Sequence, residues 1–189
     1  MDVFEAIKSR RSIGRVKADE VPAELIEKIL EAGTYAPSHF RTEPWRFFVL
    51  REGGREKLGE VLADITKAEL GDSDSNGNAD KIERARKNPL RSPVIITVAV
   101  EPSDEAKVIL KEEYAAVSSA TQNMLLAAHA FGLGAVWRTG KICYEKKVSE
   151  FFGLSENGEV LGFIYLGYPD MEAGPIERTN FKNKTTWID

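Results

Sequence analysis

Three clusters of side chains in this sequence have the types and spacing to do chemistry. Arg10-Arg11-Ser12 puts two guanidinium forks and a hydroxyl side by side, a set that holds a phosphate through charge-assisted hydrogen bonds. The same cations also suit the C-terminal end of a short helix, where the macrodipole favours positive charge. The segment Ala36–Trp45 frames His39, Arg41 and Glu43 between Pro37 and Pro44, and such loops between a helix and a strand are where binding residues concentrate. Trp137-Arg138-Thr139 closes an apolar run just before Gly140. A strand end of this kind often borders a ligand in an open sheet, and its plainer reading is a strand cap with one buried tryptophan.

Other chemistry is missing. No second His or Cys stands at ligand spacing from His39, so a metal site is not expected. The sequence offers no acid/base dyad, no Ser-His-Asp set and no P-loop. Gly132-Leu133-Gly134 follows a helical stretch and not a strand, so it reads as a helix stop, not a dinucleotide fingerprint. A chain with so few catalytic side chains suits a bound cofactor that carries the hard chemistry itself.

The elements that must position these clusters follow from periodicity. Asp2–Arg10 places Val3, Phe4 and Ile7 on one helical face behind an Asp2 N-cap. Pro22 opens a second helix with an apolar stripe at Leu25, Ile26, Ile29 and Leu30, and Gly33 reads as its stop. Phe47–Leu50 is a short buried strand. Arg55–Leu70 is an amphipathic helix with Leu58, Val61, Leu62 and Ile65 inward. The β-branched run Val94–Val100 predicts a central strand buried on both faces. Glu112–Phe131 is the longest helix, and its Ala115, Ala116, Ser118, Ser119, Ala120, Ala127 and Ala128 permit close backbone approach, its own or a partner subunit's. Gly134–Thr139 and Val160–Gly167 supply two more strands. Residues 71–80, rich in Gly, Ser, Asn and Asp, read as a mobile surface loop. Residues 169–189 read as a tail without helical period that packs along a surface.

This order of helices and strands predicts one α+β domain over residues 1–189, a sheet sandwiched between helices in an α/β/α arrangement. A net charge of −4 argues against nucleic-acid binding, which needs a basic face. The lone Cys143 excludes a disulfide framework and fits a reducing, cytoplasmic setting. The longest apolar runs fall well short of the ~20 residues that span a bilayer, so no membrane partner is expected.

Taken together, Arg10-Arg11-Ser12, Ala36-Pro37-Ser38 with Pro44-Trp45, Gly132-Leu133-Gly134 ahead of Trp137-Arg138-Thr139, and Gly162–Pro169 resemble the nitroreductase superfamily, most closely its small-subunit branch. The resemblance spans the chain in order. It implies a mainly antiparallel sheet and a homodimer built on long central helices, with FMN at the subunit interface and NAD(P)H as electron donor. Carried over by position, it assigns the FMN phosphate and ribityl chain to Arg10, Arg11 and Ser12. It sends Tyr35 and His39 to the FMN held by the partner subunit, and completes the pocket with Trp137, Arg138 and Thr139. It places nicotinamide binding at Ala127, Ala128, His129, Ala130, Phe131 and Gly132. Tyr35, Arg41 and Glu43 depart from the family's usual residues. The activity implied is hydride transfer to a nitroaromatic or quinone. A reductive dehalogenase on the same fold, and a flavin-binding sensor without turnover, are the alternatives.

Overall fold

Val94–Val100 organises the molecule as expected: every residue of this strand is buried. The computed structural model describes residues 1–71 and 76–189. Its elements run α1 (Val3–Ser9), α2 (Ala23–Thr34), β1 (Trp45–Leu50), α3 (Gly53–Leu70), α4 (Asn76–Lys87), β2 (Val94–Val100), α5 (Leu110–Ala130), β3 (Gly134–Arg138), α6 (Lys146–Phe151) and β4 (Glu159–Gly167). The sheet order is β1-β2-β4-β3, and every pairing is antiparallel.

Alternation along β2 splits the core in two. Val94, Ile96, Val98 and Val100 pack with Ile26 and Ile29 of α2 and with Val117, Ala120 and Met124 of α5. Ile95 and Ala99 face Leu58, Leu62 and Ile65 of α3, Ala85 of α4 and Val148 of α6. The result is the helix–sheet–helix sandwich predicted from the order of elements.

The C-terminal end of α5 is fixed by its glycine. Gly132 adopts φ +77, the Gly132 N–H donates to the His129 carbonyl at 3.0 Å, and the Leu133 N–H donates to the Ala128 carbonyl at 2.9 Å. This Schellman pattern satisfies the last carbonyls and turns the chain straight into β3. Gly33 behaves differently: α2 continues through Thr34, and Gly33 lies buried inside it against Met124.

A bulge at Leu161 shifts the β2–β4 register between Val98 and Ala99. Beside it, Gly162 takes φ +147, and a Cβ there would lie 2.5 Å from the Arg138 carbonyl oxygen and 2.6 Å from Trp137 Nε1. Both the conformation and the contact demand glycine. Gly162→Ala is expected to cost roughly 3–5 kcal/mol from strain and overpacking together. A urea midpoint unchanged by this substitution would show that the bulge does not hold Trp137 in place.

One expectation needs correction. Asn76–Asp80 begin α4 and do not belong to a loop; of the rest of the expected mobile segment, Gly71 caps α3 and residues 72–75 lie outside the described residues. The Val3, Phe4 and Ile7 face of α1 is exposed, and only Ala6 of this helix is buried. Residues 170–189 are exposed as well, Trp187 and Ile188 among them, and run without strand or α-helix. No helix among the described residues is long and apolar enough to cross a membrane.

Candidate active site

Arg10 stands at the end of α1, with its backbone N–H on the Ala6 carbonyl. From there the chain hooks onto the sheet: Ser12 bridges Ala135, and the Ile13 N–H donates to the Ala135 carbonyl at 2.9 Å. The two arginines take different roles. Arg11 Nη1 donates to the carbonyls of Lys8 (2.7 Å) and Arg10 (2.9 Å), the helix-end role open to it from the sequence. Arg10 is half-buried and pairs with no carboxylate among the described residues. Burial pushes the Arg10 guanidinium below its ordinary pKa, and the nearby charges of Arg178 and Arg11 push it the same way. Arg178 is a member of this cluster that sequence reasoning missed, because it belongs to the aperiodic tail.

Residues at the end of β3 supply donors with nothing to bond. Trp137 Nε1 and Arg138 Nε are buried and lack a hydrogen-bond partner among the described residues. The Arg138 guanidinium lies over the Tyr165 ring, 5.0 Å from its centroid. A Cβ at Gly14 would sit 3.9 Å from Arg138 Nη2, so the Arg10–Gly14 segment and β3 border one place. Burial raises the Tyr165 hydroxyl to about 12, against the pull of Arg138 and Arg91, so it stays neutral at working pH. Thr139 lies just past the strand and is exposed.

Tyr35 and His39 are elsewhere. Tyr35 caps the C-terminus of α2 and is 77% exposed. His39 stands on a turn with positive φ at Phe40, Arg41 and Glu43. The buried Glu113 carboxylate of α5 pins that turn, accepting from Thr42 Oγ1 at 2.6 Å and from the Ser103 N–H at 3.1 Å. His39, Glu112, Ala115 and Ser119 line an open groove of about 410 Å³ there. Ser9 and His129 meet at 2.7 Å near the other end of α5. The Ser9 hydroxyl donates to the Glu5 carbonyl, so it accepts from His129 Nε2. Glu112 and His129 are separated by about 25 Å of helix at 1.5 Å rise per residue. One chain therefore does not bring His39 to Arg10.

Residues 127–132 form the last turn of α5 and its cap. Ala128 is buried in the core, His129 is held by Ser9, and Ala130, Phe131 and Gly132 are exposed. Cys143 is buried and its thiol is pushed up to about 11, which leaves it inert. No cluster of three metal-ligating side chains exists among the described residues.

The profile of the nitroreductase family matches residues 7–168. The chain belongs to the nitroreductase family. Among its relatives is the Escherichia coli K12 protein named "Putative NAD(P)H nitroreductase YdjA", 37% identical over 92% of this chain and 91% of its own length. The Bacillus subtilis protein of the same descriptive name, YfhC, is 36% identical over 96% of this chain and 92% of its own. A nitroreductase-like family protein of Bacillus cereus superposes with a TM-score of 0.87 at 28% identity, covering 100% of this chain and 96% of that one. A Bacteroides fragilis nitroreductase with bound FMN covers 100% of both chains at TM-score 0.73 and 26% identity. Nitroreductase fold and chain order thus agree from end to end.

Proposed function

We propose that this nitroreductase binds FMN and passes hydride from NAD(P)H to a small electron-poor acceptor, working as a homodimer with shared sites. The observation that carries this reading is the donor set at the end of β3. Two buried N–H groups, on Trp137 and Arg138, have no partner among the described residues, and Arg138 borders the Arg10–Gly14 segment, where Arg10 forms no ion pair among the described residues. Buried donors without partners are rare in native proteins and cost about 1–3 kcal/mol each until a ligand satisfies them. A phosphorylated, carbonyl-rich ring system fits that set.

The residues divide the work. Arg10 and Arg178, with Ser12, hold the phosphate and ribityl oxygens, and Arg11 contributes the guanidinium donors not spent on the helix end. Arg138 would donate to the ring edge, where fixed donors stabilise developing negative charge without reorganisation. The chemistry FMN supplies is hydride acceptance from NAD(P)H at N5 and hydride release to a nitroaromatic or quinone, in ping-pong order. The partner subunit's copies of Tyr35 and His39 would cover the site, which accounts for the distance of His39 from Arg10 within one chain. Phe131 and Gly132 lie exposed at the rim where the nicotinamide would dock.

Purified protein is expected to be yellow, or to take up FMN when offered it, and then to oxidise NADH or NADPH with menadione or nitrofurazone. Colourless protein that takes up no FMN would sink the proposal; yellow protein that ignores both donors would leave a flavin-binding module without turnover.

A further inference from the structure

A second group of cations gathers where α3 meets the segment that follows Arg15. A cavity of about 280 Å³ is lined there by Lys17, Ala18, Arg55, Arg91, Ser92 and Pro93, with Val16 and Leu90 at its edge. No acidic residue lines it. Glu20, the nearest acid in sequence after Asp19, pairs with Arg51 instead. Among the described residues, neither Lys17, Arg55 nor Arg91 forms an ion pair.

Arg55 is held in place but not satisfied. Its Nη1 donates to the Ser92 carbonyl at 2.6 Å, while its Nε is buried and has no partner among the described residues. It also stands in the first turn of α3, an end that no side chain caps, so the helix adds positive potential. Like charges gathered without a counter-charge repel, and a half-met guanidinium keeps an open demand for an acceptor. An anion with several oxygens answers both.

We infer that this cavity is an anion site that takes a phosphate group, separate from the Arg10 cluster. A phosphate dianion has oxygens enough for two guanidinium forks and an ammonium. The group can arrive as inorganic phosphate or as the 2′-phosphate that distinguishes NADPH from NADH.

Lys17 and Arg91 are exposed, so Lys17→Gln and Arg91→Gln leave the fold intact. The full chain, saturated with FMN so that the Arg10 cluster is occupied, is titrated with inorganic phosphate and followed by ³¹P line width. The wild type is expected to bind phosphate, and the Lys17→Gln/Arg91→Gln chain at least thirtyfold more weakly. Equal affinity in the two, or no binding to either, overturns the site. If no FMN is taken up, the same titration in an Arg10→Gln/Arg178→Gln chain, with and without the Lys17→Gln/Arg91→Gln pair, reads the Lys17 cluster. A rise in KM for NADPH in the double variant, with KM for NADH unchanged, assigns the site to the 2′-phosphate. Weakened phosphate binding with both KM values unchanged assigns it to free phosphate.

Discussion

Replacing Arg10 and Arg178 together with glutamine is expected to raise the dissociation constant of FMN about a hundredfold to a thousandfold, while leaving the apoprotein at least as stable as before. Hydrogen bonds to a charged partner are worth about 2 kcal/mol each, so losing two costs about 4 kcal/mol, or nearly three decades. Neighbouring cations do not act additively, which sets the lower figure. The second half of the expectation carries the discrimination. Burial and the charges of Arg178 and Arg11 all disfavour the charged Arg10 side chain in the free protein. A structural arginine would cost stability when removed; a cation held against repulsion for the sake of a ligand would not. FMN fluorescence quenching gives the affinity, and thermal unfolding with and without FMN gives the stability. A destabilised apoprotein, or FMN affinity within threefold of the wild type, would remove Arg10 and Arg178 from the phosphate site.

Much of this arrangement was legible in the sequence. All four strands were readable, because a run such as Val94–Val100 has no helical alternative of that length and is punctuated by Pro93. The stop at Gly132 was readable because only glycine takes its φ freely. Other features were decided by long-range contacts that no local pattern reports. Asn76–Asp80 look like loop, yet α4 is held by packing of Ala85 against α3 and by the ion pairs of Glu83 with Arg86 and Lys87. Arg178 joins Arg10 from the far end of the chain, and nothing in its neighbours marks it. Trp137 Nε1 and Arg138 Nε become informative only once burial shows that water cannot reach them. Periodicity groups Val3, Phe4 and Ile7 on one face of α1, but it tells which residues share a face and not what covers it.

That face leads to the largest expected effect: Phe4→Glu should convert the proposed homodimer to monomer and abolish FMN binding in the same step. Phe4 is 71% exposed, beside the exposed Val3 and Ile7. Of the ~200 Å² a phenylalanine offers, about 140 Å² is left to cover, worth about 3.5 kcal/mol at ~25 cal/mol per Å². A two-fold interface uses the same face twice, so the dimer loses about 7 kcal/mol, or five decades in its dissociation constant. Flavin binding is expected to fall with the proposed dimer, because His39 stands beside Glu112, about 25 Å along α5 from His129 and the Arg10 end, and in the proposed shared site it reaches the flavin from a second chain. Ultracentrifugation and FMN titration on the same samples test both halves. A Phe4→Glu chain that stays dimeric would take α1 out of the interface. A monomer that binds FMN as tightly as the wild type would overturn the shared site itself, and the exposed tail with Trp187 and Ile188 would then need another surface to cover it.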